Sequence, residues 1–279
     1  MEIPMFTSKG QSEGSYVVIG MPEEEYRKDP AVNKSTLWEM RKSPAHYKYA
    51  LDHPQPDTPA LKFGRALHMA VLEPEAYSKR YIVSIDADRR TKAGREQWDA
   101  FLAANADREI ISKEDHDVIT EMYETVWREA WKTLMDTARE IPAFWTDEAT
   151  GIQCKCRWDA MSNKLGRYTV VDLKTCADAS TAAFTKDALR YGYDVQAAHY
   201  LRAYRAMYGV HADFYFVCVE KTPPYAVNVI KASDSFVERG TWILMDLLEK
   251  VKECRRMQSW PCYGNSEMVL PEWAVIPDD

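Results

Sequence analysis

The sequence of 279 residues contains no CxxC pair, which removes the usual start of a zinc or iron–sulfur site. Its six cysteines, Cys154, Cys156, Cys176, Cys218, Cys254 and Cys262, are scattered, so reduced thiols are expected. No run of residues approaches the roughly 18 to 20 apolar positions that span a bilayer, and no membrane partner is expected. The opening MEIPMFTSKGQSEGSY lacks a basic region followed by an apolar run, so no secretory leader is expected and the location expected is cytoplasmic. Internal repeats, low-complexity tracts and obvious linkers are also missing, which favours one α/β domain over residues 1–279. An excess of positive charge is lacking too. A formal net charge of −7 argues against a protein that coats nucleic acid, because such binding draws on many Lys and Arg contacts to phosphate. It leaves room for a local basic channel beside an acidic metal site.

What is present is a helical first half and a mixed second half. Residues 1–15 are polar and expected to be flexible, and YVVIG reads as a short strand. Asn33 or Ser35 caps a helix running to Pro44, SPAHYKYALDH starts another, and HPQPDTPA marks a turn before a strong helix from Leu61. Residues 91–105 and 113–139 carry helical periodicity. Alternation then takes over. EIPAFWTDEATGIQCKCRWDAM reads as a β-hairpin over about 140–161 turning at DEATG, SNKLGR as a polar turn, and YTVVDLKT as a strand. Two helices come next, ended by Gly192 and Gly209. ADFYFVCVEK and YAVNVIKA then form an antiparallel pair, and a long closing helix is capped by Ser233 or Asp234. The expected layout is a helical part over about 30–139 and a catalytic core over about 140–258.

Asp159 and Asp172 fall near the ends of adjacent expected strands, and Lys174 returns to the face of Asp172 by alternation. Two carboxylates with open positions suit magnesium or manganese. A neighbouring ammonium can orient the attacking water and offset phosphate charge, as phosphodiester cleavage requires. Taken alone, these residues are equally compatible with surface ion pairs at strand ends. His68 lies on the helix of GRALHMAVLEPE, and Gln196 and Tyr200 share one face of the YDVQAAHYLRAY helix. Glu73 either helps organise the site or closes a helix-end salt bridge. His46, His53 and His199 are expected in packing or surface roles. Most of the nine tryptophans are expected in the core or at a subunit interface.

The whole pattern resembles the PDDEXK nuclease superfamily in its RecB-like branch, and most of all the RecE-like (exonuclease VIII) exonucleases of phages and prophages. NKSTLWEMRKSPAHYKYAL is similar to that family's N-terminal helical segment and FGRALHMAVLEPEAY to its histidine motif. FWTDEATGIQCKCRWDAM is similar to its first acidic strand, VVDLKT to its second acid and lysine, and YDVQAAHY to its Gln-x-x-x-Tyr helix. The second acid is Asp172, where the superfamily name implies Glu. Relatives of the Cas4-like and AddB-like kinds hold a cluster on cysteines, and Cys254 and Cys262 have the wrong spacing for it.

The resemblance implies a PDDEXK, restriction-endonuclease-like core, a mixed central sheet flanked by helices, with a helical N-terminal elaboration. It implies metal binding by His68, Asp159, Asp172 and the carbonyl of Leu173, with Lys174 catalytic and Gln196 and Tyr200 positioning it or the DNA. Arg65, Lys155, Arg157 and Arg190 lie near the motifs and are candidates for the DNA path. The activity implied is a magnesium-dependent 5′ to 3′ exodeoxyribonuclease on linear double-stranded DNA ends, with two ions per site and manganese as a substitute. It would leave 3′ tails for recombination by a RecT-like annealing partner, and would work as a ring-shaped homo-oligomer in a bacterial or phage-infected cell. The alternatives are another RecB-like nuclease of different polarity or substrate, and a noncatalytic DNA-end-binding scaffold.

Overall fold

Side-chain oxygens start most helices of the first half, several with proline at the first helical position, where its missing N–H costs nothing. The computed structural model describes residues 14–53, 56–162 and 168–269. The expectations for residues 1–13, for the turn at 163–167 and for Trp273 lie outside them. After β1 (Tyr16–Val17) and α1 (Glu23–Lys28), Asn33 caps α2 (Lys34–Leu37) and Ser43 caps α3 (Pro44–Asp52). Thr58 caps α4 (Pro59–Leu72), which leads into α5 (Pro74–Arg80) and β2 (Tyr81–Val83). Thr91 caps α6 (Lys92–Ala104), and after β3 (Glu109–Ile111) Ser112 caps α7 (Lys113–Leu134). β2 and β3 form a parallel pair that sequence reasoning did not anticipate, since three residues are too few to show alternation.

The sequence pattern carries α7 to residue 139, but the helix stops at Leu134 and β4 (Ala138–Thr146) begins two residues earlier than expected. The physical reason is local. The Leu134 carbonyl, left without a helical partner, accepts from the Thr137 hydroxyl at 2.7 Å and from Arg139 at 3.2 Å. Asp136 takes φ +54°, which a continuing helix cannot accommodate. Arg139 also donates to the Leu72 carbonyl at 3.2 Å, tying the end of α4 to the start of the sheet.

The hairpin turn after β4 fixes the register of the sheet. Asp147 accepts at Oδ1 from the Thr150 amide and hydroxyl, at 3.0 and 2.9 Å, and Gly151 supplies the φ of +70° that closes the turn. β4 then pairs with β5 (Gln153–Ser162) from Thr146↔Gln153 to Ala138↔Met161. β6 (Thr169–Cys176) joins β5 antiparallel at its start only and runs parallel to β7 (Asp213–Glu220) for eight residue pairs. A parallel pair needs a crossover; α8 (Thr181–Tyr191) and α9 (Tyr193–Tyr208) provide it. β8 (Val227–Lys231) closes the edge and α10 (Asp234–Met257), capped by Ser233, packs back on α9. The mixed sheet has the order β1-β4-β5-β6-β7-β8.

Each face of the sheet buries its own core. One holds Leu37, Tyr47, Trp158, Phe184, Tyr204, Phe216 and Leu248, so α2, α3 and α8 to α10 lie on that side. The other holds Leu67, Val71, Met122, Val126, Leu173 and Val217 beneath α4 and α7. Cys154 and Cys156 point into the first core as free, buried thiols. Among the described residues no helix is long and apolar enough to cross a membrane.

α9 and α10 cross so closely that a Cβ added at Gly240 would lie 2.0 Å from the Asp194 carbonyl oxygen. Gly240→Ala is therefore expected to destabilise the fold by about 1–3 kcal/mol, the usual cost of forcing packed backbone apart. An unchanged urea midpoint would contradict so close a crossing.

Candidate metal centre

Counting symmetrically outward from the turn places Glu140 opposite Asp159, between the observed pairs Arg139↔Ala160 and Ile141↔Trp158. The β5–β6 register places Asp159 opposite Asp172 in the same way, one step beyond the last pair, Ala160↔Val171. Three acids thus occupy one level of three adjacent strands. At that level the alternation of faces slips. Ala138 and Ile141 both face the core on the α9 side, as do Trp158 and Met161, while Ala160 faces the α4 side. The facing therefore changes on both strands at Glu140 and Asp159 while the one-to-one register holds on either side, which takes both side chains out of the regular pleat. Glu140 takes φ +50°, a left-handed conformation that costs a non-glycine residue about 1–2 kcal/mol.

β5 and β6 part where Asp159 stands, and its Oδ2 accepts the Leu173 amide at 2.8 Å. The carboxylate thus takes over a ladder hydrogen bond that the fork would leave unmade. From α4, His68 brings Nδ1 to 3.5 Å from the same oxygen. His68, Glu140 and Asp159 each offer a ligand atom within 4.8 Å of the others. Burial, then the charge of Asp172, pushes the Asp159 carboxyl up from 3.8 to about 6, against the opposing pull of His68 and Lys174. Burial, then Asp159 and Glu73, pushes Glu140 well above the usual carboxylate range.

Asp172 is 1% exposed and faces the α9 side, where Gln196 donates to its Oδ1 at 2.6 Å and the Lys174 ammonium lies 2.6 Å from its Oδ2. A carboxylate oxygen accepts more than once, so Oδ2 keeps lone-pair capacity beside that ammonium. Burial opposes the charge of Lys174, but Asp172 and Asp159 outweigh it and raise the lysine's pKa. The Tyr193 ring lies beneath that ammonium, 4.8 Å away. Tyr200 sits one turn after Gln196, with its phenol pushed well up by burial and by the charges of Asp172 and Asp159.

Of the residues expected at the site, the structure brings His68, Asp159, Asp172, Leu173, Lys174, Gln196 and Tyr200 together. The expected DNA path needs correction at Lys155. That side chain is 1% exposed, and its ammonium donates to the carbonyls of Tyr26 at 2.5 Å and Asp29 at 2.7 Å, so it anchors the end of α1 and cannot reach DNA. Arg157 is largely committed as well. It lies 3.9 Å from Glu140, donates to the Met21 carbonyl at 3.2 Å and stacks on Tyr26. Arg65 pairs with Asp57 at 2.6 Å, and Arg190 is exposed beside the Tyr191 ring. His199 is fully buried, with Nε2 3.0 Å from the Lys155 carbonyl, in the packing role expected.

Sequence reasoning missed Glu140. The signal was available: counting seven residues back from Asp147 and seven forward from Ile152, which pair across the turn at 2.8 Å, sets Glu140 against Asp159.

One imidazole, carboxylate oxygens and an under-satisfied buried oxygen of Asp172 fit a hard divalent cation. His68, Glu140 and Asp159 would hold it on one side of the fork and Asp172 on the other. A family model described as "PDDEXK-like domain of unknown function (DUF3799)" matches residues 33–270. Among solved structures, that of a putative exonuclease from Eubacterium rectale is similar in fold. It has a TM-score of 0.55 and 15% identity, covering 89% of this chain and 97% of that one. The structure of SSO0001 is more distant, with a TM-score of 0.31 and 12% identity over 72% of this chain and 89% of that one. No curated protein matches the sequence. The mixed sheet flanked by helices is the expected PDDEXK-like fold.

The raised carboxyl of Asp159 sets a pH dependence. Folded, metal-free protein holds this proton up to about pH 6, whereas an ordinary carboxyl releases it near 3.8. The group therefore costs stability increasingly as pH rises between those values, and the cost persists above them. A divalent ion offsets it only where Asp159 is ionised. Magnesium or manganese is expected to raise Tm strongly at pH 8 and little at pH 5. Glu140→Gln should raise the metal-free Tm and shrink the gain from metal. Equal metal-induced shifts at both pH values would contradict the assignment.

Proposed function

The chain belongs to this PDDEXK-like family, and from that premise we propose that it is a magnesium-dependent exodeoxyribonuclease acting 5′ to 3′ on linear double-stranded DNA. One observation carries the reading: Asp159 and Asp172 stand at one level of β5 and β6 where the two strands part, with Lys174 on one acid and His68 and Glu140 on the other. The family description supports a nuclease. The resemblance of the separated motifs to RecE-like exonucleases supports the finer points: digestion from 5′ ends, 3′ single-stranded products for annealing, a RecT-like partner and a ring-shaped homo-oligomer. Manganese is the expected substitute metal, and two ions per site the expected stoichiometry.

A divalent ion in this site, when bound, supplies Lewis acidity to the phosphate and acidifies the attacking water. The protein's residues do the rest. Lys174 remains an ammonium at neutral pH because Asp172 and Asp159 hold its proton, so its part is that of a fixed cation rather than a general base. It stabilises the negative charge that grows on the phosphate oxygens and orients the nucleophile toward phosphorus. Gln196 fixes the Asp172 carboxylate through Oδ1, with its second oxygen beside the Lys174 ammonium. The Leu173 amide does the same for Asp159. Because both acids are preset, little reorganisation accompanies the reaction.

Digestion of a linear duplex in magnesium tests the reading. Wild-type protein is expected to release 5′-labelled mononucleotides early, retain a 3′ label on long strands and spare a closed circle. Lys174→Ala should lose about 10²–10³-fold in rate, the usual cost of removing one preorganised charge stabiliser. Undiminished cleavage by Lys174→Ala would refute the assigned chemistry. Binding of duplex ends without cleavage by the wild type would favour a scaffold, and early release of the 3′ label would reverse the polarity.

A further inference from the structure

Beside the metal centre, Lys34 and Arg41 bring positive charge that no carboxylate of the described residues holds in an ion pair, although Asp172 and Asp194 act on Lys34 from further off. Lys34 opens α2 and is half-buried. Its ammonium donates to the Tyr191 carbonyl at 2.5 Å and lies 5.1 Å from the Trp38 ring centroid and 5.7 Å from that of Tyr193. Arg41, exposed, covers the same Trp38 ring at 4.3 Å. Among the described residues neither cation is ion-paired with a carboxylate, in contrast to Arg65, Arg202 and Arg239, each of which has its aspartate. Tyr193 links this cluster to the chemistry, because its ring also carries the Lys174 ammonium.

That arrangement is costly for a purely structural residue. Tethering the Tyr191 carbonyl requires only a neutral donor, yet the chain places a charge there, beside a second ammonium. Burial, and next the charge of Lys174, hold the Lys34 amine down to about 8 against the pull of Asp172 and Asp194, so it is an ammonium at neutral pH whose charge an incoming anion would further favour. Two aromatic walls leave the ammonium a defined direction in which to receive one.

We infer that Lys34, supported by Arg41, seats a second, non-scissile phosphate of the DNA strand whose scissile phosphate lies at Lys174, with Trp38 and Tyr193 as the walls of that seat. Successive phosphates of one strand are close neighbours, spaced by about 3.4 Å of axial rise, so a strand drawn along the Tyr193 ring presents both to the two lysines. The inference rests on the nuclease reading and adds to it a residue that sets strand position.

The test uses the full chain and a short blunt duplex labelled at its 3′ end, with binding measured against salt in calcium and turnover in magnesium. Lys34→Gln keeps a donor for the Tyr191 carbonyl and so protects the fold, and Lys34→Arg keeps the charge. Lys34→Gln is expected to lower the slope of log affinity against log salt by about 1, the signature of one lost phosphate contact. It should also raise KM about tenfold with kcat nearly unchanged, and Lys34→Arg should recover both. A single neutral methylphosphonate scanned through the strand should weaken wild-type binding at one non-scissile position and leave Lys34→Gln indifferent there. An unchanged salt slope in folded Lys34→Gln overturns the inference while leaving the nuclease reading intact. A fall in kcat at constant KM overturns it too, by placing Lys34 on the reacting phosphate. Wild-type protein that neither binds nor cuts the duplex overturns the nuclease reading and this inference with it.

Discussion

The hydrogen bond from the Leu173 amide to the Asp159 carboxylate is the contact on which the site depends. β5 and β6 must part for two acids to share a space that a continuous ladder would fill with backbone, and parting leaves an amide without a partner. Asp159 satisfies that amide with a side chain. The same bond orients the carboxylate, so the defect in the sheet and the aim of the ligand have one cause. The change of facing at Glu140 and Asp159 belongs to the same device: it occurs on both strands at one level, the register survives on either side, and two acids leave the pleat together.

Electrostatics completes the arrangement. Glu140, Asp159 and Asp172 repel one another in a poorly solvated place, and Lys174, His68 and Arg157 oppose that repulsion. A free protein built this way is under charge stress that a divalent cation relieves, as expected of a metal site that trades stability for binding. Around it, the fold commits its other cations to structure. Lys155 closes the end of α1, Arg139 binds the ends of α4 and α7, and Arg157 is shared between Glu140 and the chain at Met21.

Much of this was legible in the sequence, for identifiable reasons. Caps at Asn33 and Ser233, the turn at Asp147–Gly151 and the β-branched run at Val170–Val171 are local signals, and each is found where local chemistry puts it. Alternation correctly returned Lys174 to the face of Asp172. It failed at Glu140 because the left-handed backbone there breaks the alternation of faces, although the turn register still held the answer. It misjudged Lys155 because adjacency to a motif says nothing of burial: the lysine lies on β5 near Asp159, but its side chain is consumed by carbonyls from a segment more than a hundred residues earlier. The end of α7 differs because Thr137 and Arg139 cap the Leu134 carbonyl and Asp136 turns left-handed, where periodicity alone would extend the helix.

The central claim is that His68, Glu140, Asp159 and Asp172 surround a divalent cation at the fork of β5 and β6. Anomalous diffraction from crystals grown with manganese measures this directly. A peak bounded by these four side chains is expected, absent from crystals of Asp159→Asn. A peak elsewhere, or none at the fork while the wild-type side chains are ordered, would contradict it.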